Sequence, residues 1–259
     1  MKDSVRQVAN VVATIAVIVV NGLASALPLN GQGTGEISDR FQVFFVPAGY
    51  VFSIWGLIYL ALIGFSIFQA LPAQRDNPRL RSIGYLYVLS CAANIAWIFL
   101  WHYEIFALTL VAMLALLILL IVIYLRVGIG AIQVSAAEKW LVQIPFSIYL
   151  GWITVATIAN VTSLLDYLGW GGWGIAPEVW AVVMLVAGAI ISSAVSITRG
   201  DIAYVLVIVW AFAGIAVKHS GTPLVSVTAG LMAVVVALTL LIGVPRRRQR
   251  LQDPSTAPA

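Results

Sequence analysis

Residues 105–125 read IFALTLVAMLALLILLIVIYL, an apolar run without a charged side chain. An α-helix rises about 1.5 Å per residue, so a run of about 20 residues crosses the roughly 30 Å hydrocarbon core of a bilayer. A helix on the surface of a soluble domain would carry polar residues on its outer face. This stretch therefore predicts a transmembrane helix, and the rest of the chain is best interpreted in relation to it.

Seven further windows show the same pattern of mostly apolar, uncharged residues. They lie at 8–27, 48–70, 83–101, 141–164, 179–198, 202–217 and 223–244, and the window at 202–217 is the shortest. Of the 259 residues, 62% are hydrophobic and only 9% are charged, which excludes an ordinary soluble domain. The sequence thus predicts an all-α integral membrane protein with about eight transmembrane helices.

The basic residues predict the topology. If the N-terminus is cytoplasmic, all of the 14 Lys and Arg residues except Arg40 and Lys218 lie on the cytoplasmic side. This is the asymmetry of the positive-inside rule, and an odd number of spans would destroy it. We therefore expect both termini in the cytoplasm. The net charge of +4 then favours contact with acidic lipid headgroups rather than with nucleic acid.

Two segments at the start of the chain allow alternative interpretations. The first apolar run ends in Ala24, Ser25 and Ala26, which also fits a cleaved signal peptide, although the run is long enough to span. The loop 29–46 is the longest predicted outer connection and contains several glycines. It fits a lid over the helical bundle, and equally a solvated, mobile connection.

Ionisable groups are missing from the predicted spans, where every Asp, Glu, Lys and Arg is absent. Ion-coupled pumps usually hold such a group at depth, so its absence argues against a pump. No metal-ligand spacing, nucleophile motif or carboxylate pair is present, and Cys91 is the single cysteine. We therefore expect no metal and no obligatory cofactor, and an enzyme is the less favoured class.

Aromatic and amide side chains remain inside the spans. Spacings of three or four residues put members of each group on one helix face, so three helices point rings and amides at a common interior. Ala156 leaves space one turn from Trp152, which suits a flat apolar ligand. The alternative is that the tryptophans anchor span ends and the asparagines join helices. The candidate ligand-binding residues are Trp55, Tyr59, Asn94, Trp97, Trp152, Ala156 and Asn160.

These residues lie in three motifs that resemble a known family. The motifs are Trp55-Gly-Leu-Ile-Tyr59, Asn94-Ile-Ala-Trp97 and Tyr149-Leu-Gly-Trp152-Ile-Thr-Val-Ala156-Thr-Ile-Ala-Asn160. They are similar, in order and in helix position, to those of the tryptophan-rich sensory proteins, the bacterial relatives of the mitochondrial translocator protein (peripheral benzodiazepine receptor). The family proline four residues before the fifth-helix tryptophan is Ile148 here, and Pro145 lies one turn earlier.

The resemblance implies a five-helix ligand-binding unit at residues 1–165, whose cavity binds porphyrins or other hydrophobic molecules. It leaves residues 166–245 as an additional three-helix extension and residues 246–259 as a basic, disordered cytoplasmic tail. Small residues such as Gly188, Gly214 and Gly230 predict close helix packing in the extension. The residues after Asn160 lack the proposed cholesterol motif, so sterol recognition is not implied.

The leading functional hypothesis is a membrane receptor or carrier for a hydrophobic or tetrapyrrole-like ligand, in the bacterial plasma membrane, with stress, light or oxygen sensing as the role implied by the resemblance. A permease or exporter of a small apolar compound is the alternative. A porphyrin-degrading membrane enzyme is the second alternative. Expected partners are the lipid bilayer and the small-molecule ligand, with no nucleic acid, and a homodimer is compatible with the sequence.

Overall fold

The protein is a bundle of α-helices in a computed structural model that describes residues 2–27 and 29–252, and within these ranges there is no β-strand. The predicted class of all-α membrane protein is confirmed. The helices are α1 (Lys2–Ala26), α2 (Thr34–Asp39), α3 (Ile54–Ala70), α4 (Pro78–Ile83), α5 (Leu86–His102), α6 (Phe106–Arg126), α7 (Ala136–Glu138), α8 (Ile144–Tyr167), α9 (Pro177–Arg199), α10 (Ile202–Lys218) and α11 (Pro223–Gln252).

Each of the eight apolar windows contains one long helix. In the part of the chain that the structure describes, six helical segments are long and apolar enough to cross a membrane, and α5 and α10 are shorter apolar helices of 17 residues. At 1.5 Å per residue these two extend about 25 Å, slightly less than the hydrocarbon core. The short window at 202–217 is therefore a genuine helix of the bundle.

The bundle has two chemically different ends. We call the end with the start of α1, the 71–85 connection and the end of α11 the basic end, and the opposite end, with α2 and the connections 103–105, 168–176 and 219–222, the loop end. At the basic end Arg81 pairs with Asp3 at 2.9 Å. At the loop end Arg40 pairs with Glu104. The first and last described helices have their free ends on the same side of the bundle, as an even number of spans requires.

Helix α1 packs through a line of buried polar side chains that the sequence patterns did not reveal. Arg6 donates to the carbonyl oxygen of Leu80 at 2.8 Å, and Gln7 donates to that of Gln69 at 2.7 Å. Further along the same face, the hydroxyl groups of Thr14 and Tyr87 lie 2.8 Å apart. In an apolar surrounding these bonds are specific helix contacts, so α1 is an integral part of the bundle.

Helix α8 is the most buried of the long helices, and it begins irregularly. Residues Lys139–Gln143 form a turn of π-helix immediately before Pro145. Proline has no N–H to donate to the preceding turn, and a π-turn is one way to accommodate that loss. The irregularity thus lies where Pro145 stands, and the segment around Ile148 is regular helix.

Small residues allow the last three helices to pack closely, both against one another and against the first part of the chain. A Cβ atom on Gly214 would lie 2.2 Å from Val51, and one on Gly188 would lie 3.1 Å from Phe212, so both glycines permit close contact as predicted. Gly230 has nothing within 4 Å, so it does not serve this purpose. An unpredicted contact joins α8 to α10, where Gly151 lies against Val207.

The end of the chain differs from the sequence prediction. Helix α11 continues to Gln252, so residues 246–252 are helical rather than a disordered tail. Arginine is a good helix former, and Arg247 and Arg250 reach the carbonyl oxygens of Gly200 and Thr198 at the end of α9, where a helix carries partial negative charge. The rest of the predicted tail, residues 253–259, lies outside the described residues.

Candidate functional site: an aromatic cavity near the loop end

Five of the seven candidate residues line one cavity. It lies between α3, α5 and α8, beneath the connection that follows α1, and has a volume of about 60 Å³. The five are Trp55, Trp97, Trp152, Ala156 and Asn160. Ala156 is partly buried, and its small side chain leaves space in the cavity one turn from Trp152.

The walls of the cavity are mainly aromatic rings. Trp152 meets Trp55 edge to face, with ring centroids 6.1 Å apart, and it meets Phe52 in the same way at 5.7 Å. On the opposite wall Trp97 stacks on Trp101 at 5.4 Å. Edge-to-face and stacked pairs stabilise one another and fix the ring positions. The cavity therefore presents flat apolar surfaces of defined orientation.

Two hydrogen-bond donors on these walls have no partner. The indole N–H groups of Trp97 and Trp152 are buried and make no hydrogen bond within the described structure, and the two residues are only 9% and 3% exposed. A buried polar group without a partner costs roughly 1 to 3 kcal/mol. Both residues line the same cavity. A ligand with an acceptor oxygen or nitrogen would satisfy donors that the protein itself leaves unpaired.

Asn160 adds an amide to the same wall. Its Nδ2 donates to the Thr109 hydroxyl at 3.1 Å, and that hydroxyl lies 2.6 Å from the carbonyl oxygen of Phe106. Thr109 has one hydroxyl hydrogen, and the shorter contact with Phe106 takes it. The Asn160 Oδ1, 3.3 Å from Thr109, therefore lacks a strong donor. This amide joins two helices, and its Oδ1 can also accept a hydrogen bond from a group in the cavity.

The connection after α1 covers the cavity as an ordered lid, which we define as residues 29–40. The Nδ1 of His102 lies 3.1 Å from the Leu29 carbonyl oxygen, which only accepts, so Nδ1 carries the hydrogen. The Nε2 then accepts the hydroxyl hydrogen of Thr34 at 2.9 Å. Arg40 and Glu104 form an ion pair at 3.0 Å. These contacts favour the lid interpretation over that of a loose connection.

Tyr59 and Asn94 lie outside the cavity wall. Tyr59 stacks on the outer side of Trp55, with centroids 5.5 Å apart. Asn94 is 1% exposed, accepts from Asn21 at 2.8 Å and donates to the Tyr149 hydroxyl at 3.0 Å. It thus joins α1, α5 and α8. Of the two readings left open by the sequence, the contacts of Asn94 favour the joining of helices.

Several lining residues were not among the sequence candidates. Trp101 follows Trp97 by one helical turn, a spacing that could have identified it, whereas Phe52 and the lid residues approach the cavity only through tertiary packing. The additional lining residues are Thr34, Ser38, Val46, Pro47, Phe52, Trp101, Met113, Val155, Ala159 and Ser163.

The lining of this cavity is uncharged. Within the described residues, no Asp, Glu, His, Lys, Arg, Cys or Tyr side chain lines it. No group of three or more potential metal ligands is found among residues 2–27 and 29–252. Drug-sized ligands occupy about 300 to 1,000 Å³, so a volume of about 60 Å³ requires the cavity to open before such a ligand enters. The lid is the part that stands over it.

Comparison with known proteins gives one match. A family model described as TSPO-like protein matches residues 7–242, which is more than half of the chain and includes the last three helices. No curated protein and no solved structure matches the chain.

Proposed function

This chain belongs to the TSPO-like protein family, and from that premise we propose that it is a membrane receptor or carrier for a flat, hydrophobic ligand with a hydrogen-bond acceptor, such as a tetrapyrrole. The observation that carries the proposal is the pair of unpartnered indole N–H groups of Trp97 and Trp152 on one cavity wall. Apolar rings hold the flat part of the ligand, and the two indoles hold its acceptor atoms.

The small resting volume is part of the proposal. A tetrapyrrole requires far more than about 60 Å³, so binding includes displacement of the lid from its contacts with His102, Glu104 and Lys218. These are a few hydrogen bonds and two partly exposed ion pairs, each of which is worth about 1 kcal/mol. Ligand burial against several aromatic rings can offset such a cost.

The test is a titration of purified protein with protoporphyrin IX, followed by quenching of tryptophan fluorescence. Trp152→Phe keeps a ring and removes the N–H, so it should weaken binding about tenfold, as one lost hydrogen bond predicts. Ala156→Leu should abolish binding by filling the cavity. The matched control is Trp173→Phe, because Trp173 is 81% exposed and lies in a loop outside the cavity.

Saturable binding that neither cavity variant changes would refute the site, as would equal effects of all three substitutions. The same samples address the alternative functions. Loss of the porphyrin absorption band with time would indicate degradation, and ligand flux into proteoliposomes would indicate a permease. Stoichiometric quenching without either result is the expected outcome.

A further inference from the structure

We call the aromatic cavity lined by Trp97 and Trp152 the central cavity. A second cavity of about 240 Å³ lies beside it at the loop end. It is formed by the connection 42–45, the end of α8, the tryptophan-containing connection 170–172 and the start of α9. This cavity thus lies where the additional helices begin. Its lining residues include Asp166, Trp170, Trp180, Ile175 and Met184.

The local backbone fixes the tryptophan rings of this cavity. Trp180 donates its indole N–H to the Gly172 carbonyl oxygen at 3.0 Å, and the ring centroids of Trp170 and Trp180 are 5.0 Å apart. Gly172 has φ +60°, and a Cβ atom there would lie 3.1 Å from the Trp180 nitrogen. Glycine is therefore required at this turn, both for its left-handed backbone and for its missing side chain.

Asp166 supplies a negative charge on the same cavity. Its Oδ2 accepts the backbone N–H of Gln42 at 3.2 Å. No Lys or Arg in residues 2–27 and 29–252 forms an ion pair with it. The two cations of the loop end are already paired, Arg40 with Glu104 and Lys218 with Asp39. The carboxylate of Asp166 is thus left without a cationic partner.

The whole loop end is acidic. It carries five carboxylates against the two cations Arg40 and Lys218, which gives a formal charge of −3. The carboxylates are Glu36, Asp39, Glu104, Asp166 and Glu178. Such a field raises the local concentration of cations and repels anions.

We propose that this second cavity binds an amphipathic organic cation, namely an ammonium group attached to a small apolar or aromatic body. The ammonium lies near Asp166 and the faces of Trp170 and Trp180, which attract cations through their ring quadrupoles. The apolar body packs on Ile175 and Met184. This cation site is separate from the central cavity, and the proposal does not depend on ligand binding there.

Charge and size favour this occupant. The exposed carboxylate of Asp166 would repel an anion, and a neutral apolar guest would gain nothing from its charge. A cavity of about 240 Å³ is slightly smaller than the roughly 300 to 1,000 Å³ typical of small-molecule sites, which suits one aromatic ring with a small ammonium group.

The probe is benzyltrimethylammonium, titrated calorimetrically into the full chain in phosphatidylglycerol nanodiscs. Saturable binding is expected for the parent protein. Asp166→Asn keeps an oxygen for the Gln42 N–H and removes the charge, so binding should weaken at least fivefold, the effect of a unit charge about 4 Å away in a water-like medium. Trp170→Leu should also weaken binding by about fivefold.

Glu178→Gln is the matched control, because Glu178 is a carboxylate of the loop end that does not line the cavity. The affinity of this variant for benzyltrimethylammonium should stay within twofold of that of the parent protein. Equal losses of affinity in Asp166→Asn and Glu178→Gln would show that the cation responds only to the general negative charge of the loop end. That result would overturn the site. Absence of saturable binding to the parent would do the same, and so would loss of cation binding in Ala156→Leu, which would place the cation in the central cavity.

The ammonium can come from solution or from a lipid headgroup, and the bilayer composition distinguishes the two. If phosphatidylcholine nanodiscs abolish benzyltrimethylammonium binding that phosphatidylglycerol nanodiscs permit, the choline headgroup occupies the site. If binding is the same in both, the site takes a free cation. Both results support the cavity as an ammonium site, provided that Asp166→Asn weakens binding in phosphatidylglycerol.

Discussion

Replacement of Asn94 by leucine tests whether this residue joins helices or serves the ligand. The Asn94 amide accepts from Asn21 at 2.8 Å and donates to Tyr149 at 3.0 Å, and it does not line the central cavity. The resemblance to the family, rather than the spacing by itself, made Asn94 a candidate ligand-binding residue. The contacts predict the opposite result, namely a loss of stability with little change in ligand affinity.

The magnitude follows from the two hydrogen bonds. Each contributes about 0.5 to 1.5 kcal/mol in general and about 0.6 kcal/mol on average between membrane helices. Asn21 keeps a second acceptor, the Val17 carbonyl oxygen at 2.8 Å, so its amide is not fully orphaned. Leucine has the same branching and the same number of side-chain heavy atoms as asparagine, but its methyl groups are bulkier, so some overpacking adds to the lost hydrogen bonds. We therefore expect Asn94→Leu to lower the free energy of unfolding by about 1 to 2 kcal/mol.

The assay is reversible unfolding in mixed micelles, with Asn21→Ala and the double variant completing a double-mutant cycle. A coupling energy of about 0.6 kcal/mol or more between the two asparagines would support the helix contact. Protoporphyrin affinity is measured on the same folded samples. Unchanged stability together with about tenfold weaker binding would refute this reasoning and return Asn94 to the ligand site.

Two further predictions concern the loop end and the last three helices. Burial lowers the pKa of His219 below its ordinary value of 6.5, so the unfolded chain takes up the proton first as the pH falls. Stability should be constant above about pH 6.5 and decrease below it, and His219→Gln should flatten this profile between pH 5 and 8; an unchanged profile would contradict the assignment. Gly214→Ala should lower the melting temperature, because the new Cβ would lie 2.2 Å from Val51, whereas Gly230→Ala has free space and should leave it unchanged or higher. Equal effects of the two alanines would rule out close packing at Gly214.

Much of the fold was predictable because the hydrocarbon core imposes a minimum length on each apolar run. The spacing of Trp152, Ala156 and Asn160 placed them on one helix face, and all three line the cavity. The sequence could not separate Asn160 from Asn94. Each shares a helix face with a tryptophan, and only the approach of Asn21 from α1 shows that Asn94 joins helices.

The buried polar side of α1 is visible in the sequence as a seven-residue repeat, which the average composition of the apolar run conceals. Gln7, Thr14 and Asn21 recur every seven residues, which puts them along one side of a helix, and each is buried against α3 or α5. A window average hides such a line within an apolar run. The orphaned indoles were not accessible from sequence at all, because the absence of a partner is a property of the tertiary structure.

Contacts of the lid and of the segment after it connect the last three helices to the first five. Helix α10 holds the segment after the lid, since the Gly214 carbonyl oxygen accepts the N–H of Ala48 at 3.2 Å, and His219 lies 3.3 Å from the carbonyl oxygen of Val46. Lys218 pairs with Asp39 at the end of α2 at 2.7 Å. The lid and the segment after it therefore contact α5 on one side and α10 on the other. Under the proposed function, opening this cover for a ligand would break contacts with both helices, so binding would depend on the eight-helix bundle rather than on the five-helix part alone.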